Sequence, residues 1–95
     1  FSRLAKFNKS VNLLNKGDYE GAAESGLAIL KEFQDINDSV HVAHVQYHIG
    51  SCYFSSGQYE RAKKYFYDAI PVTKTFKSSI RLGNIYSALG SVYYM

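Results

Sequence analysis

One short pattern occurs twice in this chain, 40 residues apart. A bulky residue is followed by an aliphatic residue, a glycine and a tyrosine, at offsets of three, one and three residues. The pattern starts first at Gln46 and again at Tyr86. Because a glycine on a helix lets a second helix approach closely, the repetition predicts stacked helix pairs and argues against a sheet.

The same offset aligns further positions of the first and second halves. The matched pairs are two glycines, two tyrosines and two alanines: Gly17 and Gly57, Tyr19 and Tyr59, Ala22 and Ala62. We expect the paired glycines to end helices with positive φ, and the paired alanines to lie where helices cross. Gly50 and Gly90 are predicted to be buried at equivalent crossings.

Apolar residues recur at helical spacing through most of the chain. Five helices are predicted, over about residues 2–16, 19–35, 40–56, 59–76 and 80–95. A stripe of tyrosines is expected to be mainly core: Tyr53, Tyr59, Tyr65, Tyr86 and Tyr93. Three others are expected to be exposed: Tyr47, Tyr67 and Tyr94. The fifth helix has no following partner, so we expect Ile85, Leu89, Val92 and Tyr93 to be partly bare.

In these features the chain resembles tetratricopeptide-repeat proteins of the 40-residue subtype. Residues 46–53 and 86–93 carry the resemblance, with Ala62-x-x-x-Phe66 between them. It implies one all-α domain over residues 1–95, a right-handed superhelical solenoid of antiparallel helix hairpins with about two and a half repeats. The repeats would span about residues 3–42 and 43–82, with a partial repeat at 83–95.

The resemblance also implies a function, which is recognition of a protein or peptide segment in a concave groove, without catalysis or a cofactor. Carried over by register, the expected partner-binding residues come from the third and fifth helices: His44, Tyr47, His48, Ser51, Phe54, Asn84, Ser87, Ser91 and Tyr94. Two alternatives stay open. One is a sensor or regulatory segment of a larger bacterial signalling or transcription-regulating protein. The other is a self-association module that forms a homo-oligomer through the uncovered last helix.

Three histidines and the single cysteine lie at helical spacing in the third predicted helix: His41, His44, His48 and Cys52. Imidazole and thiolate ligands at such spacing can hold zinc or nickel. The favoured interpretation is that the histidines line the groove and the cysteine is a small buried residue, so no metal is predicted. Groove histidines would make ligand binding depend on pH, since imidazole titrates near about 6.5.

The formal charge of +3 is concentrated in residues 49–95, which hold six Lys or Arg and two acidic residues. Arg61, Lys63 and Lys64 alternate with tyrosines, and such a surface can grip nucleic acid. The resemblance places this helix on the convex side, and no nucleic-acid motif is present. An ordinary solvated face is therefore favoured, and no direct nucleic-acid binding is expected.

The sequence carries no phosphate-binding loop and no nucleophile elbow, so no enzymatic activity is predicted. No apolar run approaches the roughly 18–20 residues of a membrane-spanning helix, and no signal peptide is visible. A cytoplasmic location is favoured. Because both ends of the chain fall within helical pattern, we expect it to be a piece of a longer protein.

Overall fold

The structure, a computed structural model, describes residues 2–75 and 79–94. It contains five α-helices: α1 (Arg3–Asn15), α2 (Tyr19–Asp35), α3 (Ser39–Ser55), α4 (Tyr59–Thr75) and α5 (Ser79–Tyr94). Each helix end lies within one residue of the sequence prediction. The described residues contain no strand, and the predicted all-α helical-repeat fold is confirmed.

The turns explain why the helices begin and end where they do. Gly17 follows the end of α1 with φ +89°, and Gly57 follows the end of α3 with φ +82°. Both confirm the prediction that these glycines end helices with positive φ. These angles lie in the left-handed region, which side chains disfavour. Asp18 and Asp38 then cap α2 and α3, because their carboxylates accept hydrogen bonds from backbone N–H groups three residues later.

The helices form two layers. Each helix packs against the next one in the chain, and the central α3 also touches α1 and α5. Within the described part of the chain, α2 and α4 do not touch each other. The odd-numbered helices therefore lie closer together and form the inner layer, while α2 and α4 form the outer layer. This layering brings α3 and α5 side by side, where a groove can form between them.

Helices α3 and α4 approach closely at Gly50. A Cβ atom added there would lie 2.6 Å from Cε1 of Phe66, whose side chain is 1% exposed. Ala62, on the same helix as Phe66, is fully buried. The prediction that small residues mark helix crossings is confirmed at these positions.

The predictions for α5 need correction. Gly90 is exposed and has nothing within 4 Å of an added Cβ, because no helix among the described residues takes the place there that α4 and Phe66 take at Gly50. Three residues expected to be partly bare are buried: Ile85, Leu89 and Val92. They face the helices already present. Tyr86, expected in the core, is 48% exposed. Tyr93 is 62% exposed, which agrees with the expectation that it is partly bare and corrects its assignment to the core stripe.

The two glycines should respond oppositely to the same substitution. Gly50→Ala should destabilise the chain by about 1–3 kcal/mol, because the buried Phe66 ring cannot move aside without repacking. Gly90→Ala should stabilise it by up to about 1 kcal/mol, because the methyl group meets open space and alanine favours the helix. Urea unfolding followed by circular dichroism measures both. Shifts of the same sign in the two variants would contradict this packing.

Candidate binding groove

A groove runs between α3 and α5 and consists of two adjoining cavities. Their volumes are about 290 and 150 Å³, and Tyr47 and Asn84 line both of them. The larger cavity is lined by Tyr47, Ser51, Phe54, Ser55, Phe66, Asn84, Ser87, Ala88 and Ser91. Six of the nine predicted partner-binding residues therefore surround one opening: Tyr47, Ser51, Phe54, Asn84, Ser87 and Ser91.

Helical periodicity explains this convergence. Residues three or four apart lie on one face of a helix, and the α3 lining residues follow that spacing from His44 through Tyr47 and Ser51 to Phe54. The α5 residues repeat it at Asn84, Ser87 and Ser91. His44 joins the site through the smaller cavity, where it lies with Tyr47 and Asn84.

The polar groups of the larger cavity carry no formal charge and are rich in acceptors. The hydroxyl of Ser51 donates to the carbonyl oxygen of Tyr47 at 3.1 Å, and that of Ser91 donates to Ser87 at 3.2 Å. Each hydroxyl hydrogen is thus used within its own helix, and the oxygen lone pairs can accept from a ligand. Asn84 adds an amide that can both donate and accept. No Lys, Arg, Asp or Glu lines either cavity.

Packed aromatic rings form the apolar part of the groove. The ring of Tyr47 lies against Phe66 with the centroids 5.6 Å apart. Phe54 meets the ring of Tyr59 edge-on, at 5.4 Å between centroids. Because these rings are already held in place, they would lose little conformational freedom when a ligand packs on them.

His48 does not line the groove, which corrects the prediction made from the sequence. Only 5% of it is exposed, and its Nε2 lies 2.7 Å from the hydroxyl of Ser10 on α1. The 40-residue offset aligns Gly26 with Phe66, so α2 lacks the ring that α4 carries. The imidazole lies in the space beside Gly26, where an added Cβ would be 3.4 Å from its Cδ2.

Burial also sets the protonation state of this interior cluster. Burial, together with a smaller effect of the nearby His44, lowers the pKa of His48 to about 4. Burial raises the pKa of the Cys52 thiol to about 11, partly offset by a backbone hydrogen bond. Near neutral pH both groups are therefore uncharged, which suits a closed interior.

The three histidines have different neighbours. Nδ1 of His41 lies 2.7 Å from a carboxylate oxygen of Asp38, and its ring stacks on Phe33. His44 meets the ring of Phe7 at a steep angle, 5.0 Å between centroids. Among the residues that the structure describes, no group of three His, Cys, Asp or Glu could hold a metal ion.

Tyr94 stands apart from the groove. It is 95% exposed at the end of α5 and lines neither cavity. The sequence prediction also missed Thr73, which reaches the smaller cavity from α4. The prediction took groove residues only from the inner helices, so it overlooked a lining residue that comes from the outer helix α4.

Three basic side chains of α4 lie over tyrosine rings. The distances from cation to ring centroid are between 5.3 and 5.7 Å, for Arg61 over Tyr53, Lys63 over Tyr93 and Lys64 over Tyr65. The contacts of Arg61 and Lys63 join α4 to α3 and to α5, whereas that of Lys64 lies within α4. They give these cations a role within the fold.

The comparison with protein families gives one match, to the tetratricopeptide repeat over residues 43–71. The matched segment contains most of α3 and most of α4, including the contact of Gly50 with Phe66. This match supports the resemblance to tetratricopeptide-repeat proteins. Searches of curated proteins and of solved structures give no match.

Tetratricopeptide repeats generally mediate protein–protein interactions, and the family is a non-catalytic scaffold. The repeat identified by the family model supplies one wall of the groove, through Tyr47, Ser51 and Phe54. None of the helices in the described part of the chain has both the length and the apolar character needed to cross a bilayer.

The buried histidine predicts that acid destabilises the fold. The unfolded chain binds a proton at His48 with a pKa near 6.5, whereas the folded chain binds it only near 4. The stabilisation from the neutral ring is therefore complete above pH 6.5 and lost as the pH falls towards 4. Between pH 6.5 and 4 the free energy of unfolding should fall by about 2–3 kcal/mol more in the chain than in the His48→Gln variant, because glutamine does not titrate.

Urea unfolding at a series of pH values measures this difference, and the variant corrects for the carboxylates that titrate in the same range. Parallel stability curves for the two proteins would contradict the account of His48.

Proposed function

We propose that this chain binds an uncharged, extended segment of a partner protein in the groove between α3 and α5. One observation supports the proposal most strongly. Six residues that the repeat register predicted to bind a partner line the same uncharged cavity of about 290 Å³. A groove that exists before the ligand arrives, with apolar walls and a few placed polar groups, is typical of a binding site.

The lining supports a particular ligand chemistry. The oxygens of Ser51 and Ser91 can accept hydrogen bonds, so they suit the N–H groups of an extended backbone or of a side-chain amide. Tyr47 and Phe54 suit apolar side chains between those donors. A carboxylate or ammonium group would lose its water in the groove without meeting an opposite charge, which costs several kcal/mol.

A direct test starts from a random dodecapeptide library displayed on phage and selected on the immobilised chain. We expect the enriched peptides to have uncharged, amide-rich or apolar centres. Isothermal titration with a synthetic copy of an enriched peptide then gives the affinity. Absence of enrichment, or enrichment of acidic peptides, would overturn the proposal.

Placing a charge in the groove should abolish most of this binding. Asn84→Asp keeps the side-chain shape and adds a negative charge that both cavities share, so the peptide affinity should fall about tenfold or more. Gln34→Glu, an exposed position on the outer helix α2, adds the same charge elsewhere and should change the affinity less than about twofold. Equal effects of the two substitutions would place the ligand outside the groove.

The salt dependence of the peptide affinity distinguishes binding in this groove from binding at a charged surface. Binding in a neutral groove should change little between 50 and 200 mM salt, whereas contacts to phosphates weaken steeply over that range. A steep loss of affinity would favour ligand binding at the basic face of α4 instead.

A further inference from the structure

The smaller cavity of the groove has the size of a single side chain. Its volume is about 150 Å³, and it is lined by residues of three helices: Ala43, His44 and Tyr47 on α3, Thr73 on α4, and Asn84 and Ile85 on α5. A water molecule takes up roughly 30 Å³ in the liquid, so the cavity has room for about five non-hydrogen atoms. It is too small for a helix, but it fits one side chain that projects from a segment in the groove.

The cavity lies where the second repeat lacks an aromatic ring. The 40-residue offset aligns Thr73 of α4 with Phe33 of α2. Phe33 is 4% exposed, and its ring stacks on His41 with the centroids 4.8 Å apart. Threonine is much smaller than phenylalanine, so its place on α4 leaves space and adds a hydroxyl group. The opening therefore follows from a difference between the two repeats.

Two core residues and two rings form the walls of the cavity. Ala43 and Ile85 are buried, with 5% and 2% of their surfaces exposed. The rings of Tyr47 and His44 pack against phenylalanine rings, which hold them in place. Methylene groups of a ligand would be stabilised against these walls, because apolar surface leaves water there.

The two polar groups Thr73 and Asn84 differ in what they can bind. Thr73 is 6% exposed, and its hydroxyl donates to the carbonyl oxygen of Ala69 at 2.7 Å. Because that hydrogen is already used, the hydroxyl oxygen can only accept from a ligand. The amide of Asn84 can both donate and accept. A ligand group that matches both residues must therefore carry a donor together with an acceptor.

A primary carboxamide meets these requirements, because it carries N–H groups and a carbonyl oxygen without a charge. A carboxylate offers no donor to Thr73, and an ammonium group offers no acceptor to Asn84. Each of these ions would also lose its water without meeting an oppositely charged side chain, which opposes binding. Serine and threonine have suitable hydroxyl groups but would leave much of the cavity empty, and tyrosine exceeds its volume.

We propose that the smaller cavity binds the side chain of a glutamine in the partner segment. Its methylene groups lie between Ala43 and Ile85, its amide N–H donates to Thr73, and its amide oxygen accepts from Asn84. Glutamine is favoured over asparagine because the longer stem carries the carboxamide to Thr73 and fills the space for about five atoms. The inference rests on the proposed function and adds the residue for which the groove selects.

The first test uses the peptides that the chain enriches from the random dodecapeptide library. We expect these peptides to share a glutamine at one aligned position. In a synthetic copy, replacing that glutamine by glutamate should weaken binding at least about tenfold, because the two side chains have one shape and differ in charge. Replacement by leucine should weaken it at least about fivefold. Isothermal titration at pH 8, where an imidazole such as that of His44 is ordinarily uncharged, measures the affinities.

Two substitutions of Thr73 show whether its hydroxyl selects the glutamine. Thr73→Val removes the hydroxyl and keeps the shape, so it should weaken the glutamine peptide at least about fivefold and leave the leucine peptide within about twofold. Thr73→Ser keeps the hydroxyl and should bind the glutamine peptide within about threefold of the unsubstituted chain. Circular dichroism and urea unfolding verify that both variants fold. An equal loss for both peptides in Thr73→Val would mean that Thr73 only supports the fold, and would overturn the inference.

A variant of the larger cavity separates this inference from the proposed function. Phe54 lines only the larger cavity, so Phe54→Ala should weaken the glutamine and leucine peptides by the same factor. If this loss occurs but the two peptides bind the unsubstituted chain equally well, the groove proposal stands and the glutamine pocket is wrong. Enriched peptides without a shared glutamine would overturn the pocket in the same way. Absence of any enriched peptide would overturn both proposals.

Discussion

The structure depends on the close approach of α3 and α4, which Gly50 and Phe66 make possible. A buried ring on one helix needs a residue without a side chain on the other, and here the gap would admit no added methyl group. Packing at this density fixes both the separation and the rotation of the two helices. Rotation in turn decides which residues of α3 face inward, which face α4 and which face the groove.

The same constraint links the groove to the open side of α5. Because α5 repeats the pattern of α3, it packs its aliphatic residues against the existing helices and directs Asn84, Ser87 and Ser91 towards α3. Its glycine then faces outward. One periodic pattern thus generates a groove on the inner layer and leaves exposed tyrosines beside it.

Much of the fold could be predicted from the sequence, since the 40-residue offset located all five helices and the turn glycines. The groove residues followed because spacing fixes which side chains share a helix face. The errors arose where side-chain volume and neighbours matter. His48 is buried because Gly26 replaces a ring and leaves room for an imidazole, which periodicity does not reveal. Tyr86 and Tyr93 are exposed because no helix among the described residues covers them, which the core pattern alone does not reveal.

The most direct test of the central contact is a double-mutant cycle between Gly50→Ala and Phe66→Leu, measured as free energies of unfolding in urea. The smaller leucine makes room for the alanine methyl group. The double variant should therefore be more stable than the sum of the two single losses indicates, by about 1 kcal/mol or more. Strictly additive losses would show that the glycine and the ring do not constrain each other, and would contradict this account of the fold.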